Sequence, residues 1–381
     1  MAVLDAAQAT TARPPSRAFF SPALDFLCLG GGSLLLLPIL TWAMPDTLHV
    51  SSLYWASLLA YVINDPHFAH SYEIFYRTFR AVVTDPNSDR KLFLRYMWAG
   101  VVAPILLVLF FAIALPIGDV RILGYAGNAM GFFVGWHYVK QGYGMLMVDA
   151  ALRRSYFGNA DKKILVVNSY ACWILSWLVT NKVVVQRDFY GLSYAAIDTP
   201  PVLLWATAVV LVVTSIASAY ILFRHARAHR GAIPINGIAA YIAALYPWLL
   251  MAREPVLGAF IPAMHSLQYL LIVWRYQLNV EHARPDAGDR FPRIKAFGFA
   301  PSRMTLRFGG FIARAIFFGF FGFVVFPKFF DNVVPFDHTL YGDYLFFFVL
   351  IIFINIHHYF IDNAMWRKEN PHTLPHLFRR R

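Results

Sequence analysis

Six histidines lie where an apolar chain has least reason to carry them. His67 and His70 fall in NDPHFAHSYEIFYR, His137 in GWHYVKQGYG, His265 in AMHSLQYLLIVWRY, and His357 and His358 in INIHHYFIDNAMWRKEN. Imidazoles in such segments serve three kinds of chemistry: metal or haem ligation, a proton or substrate path, and interhelical hydrogen bonding worth ~0.6 kcal/mol per bond. The other histidines (His49, His225, His229, His282, His338, His372 and His376) sit in polar connections or the tail and read as solvated or structural.

Spacing adds to residue type. His67 to Arg77, His265 to Arg275 and His357 to Arg367 are each ten residues apart, and each Arg follows Tyr or Trp. On a helix that is ~15 Å from an interfacial aromatic-plus-Arg anchor, so the imidazoles share one layer. Polar companions recur at helical intervals. Glu73 extends the row of His67 and His70, Gln141 follows His137 at i+4, Gln268 follows His265 at i+3, and Asn355, His358 and Asp362 form a stripe. A ligating imidazole needs its second nitrogen held by a partner, and these residues are candidates for that task.

The elements that must position them are membrane helices. With 59% hydrophobic and 14% charged residues, the chain is too apolar for an ordinary soluble domain. A bilayer core of about 30 Å needs ~20 apolar residues per helix. Ten candidate spans follow: 23–43, 52–72, 95–117, 121–149, 163–185, 201–223, 237–253, 255–275, 307–327 and 343–366. The expected fold class is all-α, a polytopic helix bundle over 21–369, with a flexible cytoplasmic tail at 1–20 and a basic cytoplasmic tail at 370–381. Arg253, Glu254 and Pro255 mark either a turn or a helix break.

Net charge is +12, but Lys and Arg occur in short clusters between apolar runs, which excludes a nucleic-acid module and fits topology signals and lipid headgroup contacts. Clusters at Arg77 to Lys91, Arg153 to Lys163, Arg224 to Arg230 and Arg284 to Lys295 fall on one side, expected to be cytoplasmic, with both termini there too. The histidine-bearing spans then all run inward and place the histidines in the cytoplasmic half of the bilayer. A bacterial inner membrane is the expected location. No signal-peptide pattern opens the chain, and Cys28 and Cys172 offer neither a disulfide framework nor a CxxC site. GGG at 30–32 reads as a close-packing element.

Imidazole with carboxylate suits iron, zinc or copper, and the absence of placed thiolates argues against iron-sulfur and blue-copper sites. Six histidines with Glu73 and Asp362 exceed the needs of one tetrahedral zinc, which favours two metals, as in a dinuclear non-haem iron site facing a lipid-soluble substrate. Haem is the rival cofactor, with His137 and His265 as an axial pair.

PHFAHSYE, WHYVKQGYG with Asp149 further on, AMHSLQYL and HHYFID resemble the dispersed histidine segments of the bacterial membrane-bound beta-carotene cleavage dioxygenases and, more distantly, the histidine boxes of integral-membrane desaturases and hydroxylases. The chain departs from both in having one HxxH, two lone histidines and one HH, with PHF in place of PHG. The resemblance implies iron ligation by His67, His70, His137, His265, His357 and His358, with Glu73 and Asp362 as carboxylate ligands or hydrogen-bond partners. It would place Gln141, Gln268, Tyr138, Tyr72, Tyr143 and Asn363 around those ligands.

The first functional expectation is therefore an oxygen-dependent oxidoreductase acting on a lipid, isoprenoid or carotenoid, with any electron donor a separate protein. A haem-binding electron-transfer protein and a proton-coupled transporter using the histidines as a relay are the competing expectations.

Overall fold

The computed structural model describes residues 18–39, 54–56, 58–183, 188–189, 191–251, 257–289, 302–367 and 369–377. The expected all-α class holds: among these residues the strands are β1 (Asp188–Phe189) and β2 (Leu192–Ser193), which pair antiparallel. The helices are α1 (Pro22–Pro38), α2 (Asp65–Thr84), α3 (Arg90–Ile117), α4 (Val120–Leu152), α5 (Asn159–Val183), α6 (Pro201–Ala228), α7 (Ile235–Leu250), α8 (Leu257–His282), α9 (Arg303–Val333) and α10 (Leu345–Met365). Six of them, α3, α5, α6, α8, α9 and α10, are long and apolar enough to cross a membrane.

Their starts follow from local chemistry. Asp89, Asp119 and Ser302 cap α3, α4 and α9 by accepting from the backbone N–H groups of Leu92, Arg121 and Thr305. Gly118, at φ 75°, ends α3 in the left-handed conformation that a residue without Cβ adopts freely.

Proline sets a second feature. Three π-turns, Ala60–Asn64, Trp98–Val102 and Phe321–Val325, each end two residues before a proline: Pro66, Pro104 and Pro327. A proline has no N–H, so the carbonyls one turn earlier lose their donor and the helix widens there. In α3 this leaves the carbonyls of Ala99 and Gly100 open to side chains, and they accept from His357 Nε2 at 2.8 Å and Tyr76 OH at 3.2 Å.

Burial sorts the helices into layers. In α8 72% of the most apolar stretch is buried, against 17%, 11% and 17% in α3, α6 and α9. The outer helices expose Ile105, Val108, Val202, Trp205, Ile216 and Phe317, an apolar periphery suited to lipid. Inside, α4 and α7 touch backbone to backbone, because a Cβ on Gly237 would lie 2.8 Å from Leu146 Cα and one on Gly142 2.4 Å from Ala244 Cβ. A Cβ on Gly30 would lie 2.6 Å from the Ala239 carbonyl oxygen, so the GGG segment packs closely as expected. Gly237→Val is expected to destabilise the bundle by about 1–3 kcal/mol, read as a lower Tm in mild detergent, because backbone cannot give way.

Residues 370–377 are not loose. Asn370 Nδ2 donates to Tyr96 OH and the Met365 carbonyl, Thr373 Oγ1 donates to the same carbonyl, and Asn279 Nδ2 donates to the His376 carbonyl. The segment folds back along α8 because these polar side chains take up carbonyls that the end of α10 leaves without partners. Residues 1–17, His49, Arg253, Glu254, Pro255, Arg290, Arg293 and Lys295 lie outside the described residues.

Candidate metal centre

Four helices contribute one imidazole each to a common point: His67 from α2, His137 from α4, His265 from α8 and His358 from α10. One ring nitrogen of each lies within 4.8 Å of those of the others. Ring centroids run 5.2 Å from His67 to His265, 4.9 Å to His137, 5.1 Å to His358 and 4.5 Å back to His67, a closed quadrangle. Asp362 enters from one turn below His358, its Oδ2 3.5 Å from the Nε2 atoms of both His137 and His358.

The polar atoms facing inward have no partners. His67 Nε2, His137 Nε2, both nitrogens of His265 and of His358, and Asp362 Oδ2 are buried without a hydrogen bond. Buried polar atoms are nearly always satisfied, and a buried carboxylate is costly without a counter-charge. Asp362 is 4% exposed and, among the described residues, has only imidazoles at ion-pair distance. A cation between the rings would satisfy the four imidazoles, with Asp362 beside His137 and His358 as its counter-charge.

The surrounding bonds fix ligands in a donor-ready state. Ser266 Oγ donates to Asn64 Oδ1 at 2.8 Å, so its 3.2 Å contact with His67 Nδ1 must be one it accepts. That places the His67 proton on Nδ1 and leaves the Nε2 lone pair facing the centre. Tyr269 OH donates to Asp362 Oδ1 at 3.0 Å while accepting from Ser71 Oγ at 2.6 Å and Trp366 Nε1 at 3.3 Å. One carboxylate oxygen is thereby anchored and the other turned to the histidines. Tyr138 stacks flat on His265 at 3.7 Å and 11°, setting that ring's plane.

His70 and His357 are not brought into the group. His70 Nε2 accepts from Trp274 Nε1 and its ring stacks on Phe311 at 4.0 Å. Both His357 nitrogens are engaged, Nδ1 by Tyr72 OH and Nε2 by the Ala99 carbonyl, each at 2.8 Å. Helix rotation is the reason: neighbours such as 357 and 358 point about 100° apart, and each i+3 step turns about 60° off the first face, so His70 and Glu73 swing away from His67. Glu73 instead pairs with Arg314 at 2.6 Å. Gln141 Nε2 donates to the His265 carbonyl and to Gln268 Oε1, and Gln268 donates to the Ala240 carbonyl, so these amides hold backbone rather than imidazoles. Asn355 bonds its own helix at Ile351.

Tyr269, Ser71, Ser266 and Asn64 were not among the residues expected from sequence. Ser71 and Tyr269 do stand at i+4 from His67 and His265, the interval at which a helix places one side chain over another.

Two openings flank the centre. A cavity of about 300 Å³ is lined by His137 and Asp362, with Lys140, Tyr143, Asn363 and Arg367 among its other walls. On the opposite face, an apolar groove of about 550 Å³ runs between α2, α9 and α10 past Phe68, Phe323 and Phe353. The Phe68 ring, 4.7 Å from that of His358, stands between groove and centre. Comparison with protein-family models, with curated proteins and with solved structures finds no match.

Proposed function

We propose that the chain is an integral-membrane metalloprotein in which His67, His137, His265, His358 and Asp362 hold one non-haem iron, used with oxygen on a hydrophobic lipid, isoprenoid or carotenoid-like substrate. The observation that carries this reading is the convergence of unpartnered nitrogens from four separate helices on one point, with a buried carboxylate 3.5 Å from two of them. The four gathered imidazoles alone would also fill a tetrahedral zinc site; Asp362, beside two of them, would add the fifth donor that favours iron. The resemblance of the histidine segments to membrane iron oxygenases points the same way.

One ion replaces the two expected from composition, since His70, His357 and Glu73 have partners elsewhere. A bare ion is favoured over haem because a macrocycle between two axial imidazoles would need the plane that the other two rings fill. Iron bound there would supply the redox chemistry that activates oxygen. The chain's own residues do the rest: Ser266 and Tyr269 orient donors, Tyr138 and Phe68 wall the site from water and lipid, and the cavity admits substrate beside His137. A hydroxylation or desaturation would draw two electrons from a separate donor protein; a dioxygenation would need none. We also propose that all ten apolar segments traverse the bacterial inner membrane with both termini cytoplasmic, a reading supported by the alternation of basic connections.

The test is metal content and the visible spectrum of the full chain purified in mild detergent. About one iron per chain without a Soret band is the expected result. A Soret band, two irons, or protein that stays metal-free after incubation with ferrous iron would overturn it.

A further inference from the structure

The cavity beside the centre carries charge that the metal does not explain. Lys140 Nζ donates to Asn363 Oδ1 at 2.6 Å, and Arg367 Nη2 donates to the same oxygen while its Nε takes the Asn363 carbonyl at 2.7 Å. Two cations thus meet on one neutral amide oxygen. Arg95 lies near enough to act electrostatically on both. The charged groups acting on Lys140 are Arg367 and Arg95, both cations, and the acidic group acting on Arg367 is the exposed Glu369. Like charges held together in a half-buried mouth repel, and an anion seated between them relieves that repulsion. The lining between this mouth and the far end of the cavity is apolar, with Met145, Val148, Ile272 and Leu377.

We infer that the cavity takes an anionic amphiphile, its carboxylate or phosphate held by Lys140 and Arg367 and its apolar chain laid along Met145, Val148 and Ile272. This rests on the proposed function for its chemistry but not for its binding. Register sets the ligand's orientation. Lys140 follows His137 by one turn, ~4.5 Å along α4, and Asn363 is next to Asp362. A head group seated there is the part of the ligand nearest the histidines, and the chain leads away from them, since Met145 and Val148 lie ~12 and ~16 Å past His137 along α4. The ligand is then an acidic lipid whose polar end faces the centre, and neutral carotenoids and alcohols lack the group that the mouth is built to hold.

The experiment is saturable binding of tritiated palmitate to the full chain in mild detergent, before and after chelator treatment, with hexadecyl phosphate, hexadecanol and inorganic phosphate as competitors. Palmitate is expected to bind with or without metal. Hexadecyl phosphate should compete and hexadecanol should not; displacement by palmitate but not by hexadecyl phosphate narrows the head to a carboxylate. Lys140→Gln and Arg367→Gln should each weaken binding about tenfold and Arg367→Lys should restore most of it, since charge-assisted bonds carry the head group. Arg95→Gln, away from the Asn363 contacts, gives a smaller loss and serves if the others fail to keep native helicity. Competition by hexadecanol equal to palmitate, displacement by inorganic phosphate at the same concentration, or unchanged binding in all three Gln variants would overturn the inference. Binding that survives in a protein unable to hold iron would leave it standing while sinking the iron reading, so the two fail separately.

Discussion

His358→Ala empties the proposed centre of iron, while His357→Ala, one residue away, leaves it filled. Both ring nitrogens of His358 are buried without a hydrogen bond, one of them faces the other three histidines, and its Nε2 shares Asp362 Oδ2 with His137. Loss of that imidazole removes a donor outright, a larger change than the about 10- to 100-fold cost of disturbing a ligand's hydrogen-bond partner. Iron should fall from about one per chain to less than about a tenth on that scale. His357 faces the other way and ties Tyr72 on α2 to the Ala99 carbonyl on α3. Its removal leaves two buried groups without partners at about 1–3 kcal/mol each, so Tm should drop with the metal count unchanged. Elemental analysis beside a thermal melt separates the two effects. Equal iron loss in both variants would point to collapse of α10 rather than to a ligand.

Tyr269→Phe gives the second large effect. The hydroxyl is the junction of a four-membered network, donating to Asp362 and accepting from Ser71 and Trp366. Its loss frees the carboxylate to rotate and strands the Trp366 Nε1 donor, while Ser71 Oγ keeps the His67 carbonyl at 3.2 Å as its acceptor. Iron affinity is expected to fall about 10- to 100-fold, measured by competition with a chromogenic chelator. Ser71→Ala should cost less, since the Tyr269 hydroxyl keeps its bond to Asp362. A Tyr269→Phe protein that holds iron as tightly as the parent would show that the Tyr269 hydroxyl does not position Asp362 for the metal.

A common layer was legible for His67, His265 and the His357–His358 pair because depth along a helix follows from sequence position relative to Arg77, Arg275 and Arg367, and for His137 from the direction that the basic connections give its span. Rotation about the axis was not legible. INIHHYF offers two adjacent imidazoles, and nothing in that string says which one faces α2, α4 and α8; only the packing of α10 against Ala99 and Tyr72 chooses His358. The row of His67, His70 and Glu73 looked like one face because i+3 neighbours are close in space, but the drift over two steps is large enough to carry Glu73 to Arg314. Tyr269 was indistinguishable from the many packing aromatics of α8, as its role depends on Asp362 from another helix. Gln141 and Gln268 were read as imidazole partners from spacing alone; a long amide reaches a backbone carbonyl just as readily. The three prolines, by contrast, stand in plain view in AYVINDP, WAGVVAP and FGFVVFP, and each marks a widened turn.

His137 and Asp362 line the cavity, while His67, His265 and His358 are 0–4% exposed and are not among its lining residues. With Phe68 standing across the groove side and only about 10 Å³ of space in the pocket beside His265, this cavity would be the widest route for both an ion and an amphiphile. Iron would then have to arrive first, and a ligand seated behind it would act as a stopper. Chelator extraction from loaded protein should then slow as palmitate occupancy rises, and apoprotein already filled with lipid should load iron only as fast as the lipid departs. On the proposed function, timing would become a condition of assembly: a chain that met its lipid before its metal would be held in an inactive form by its own ligand.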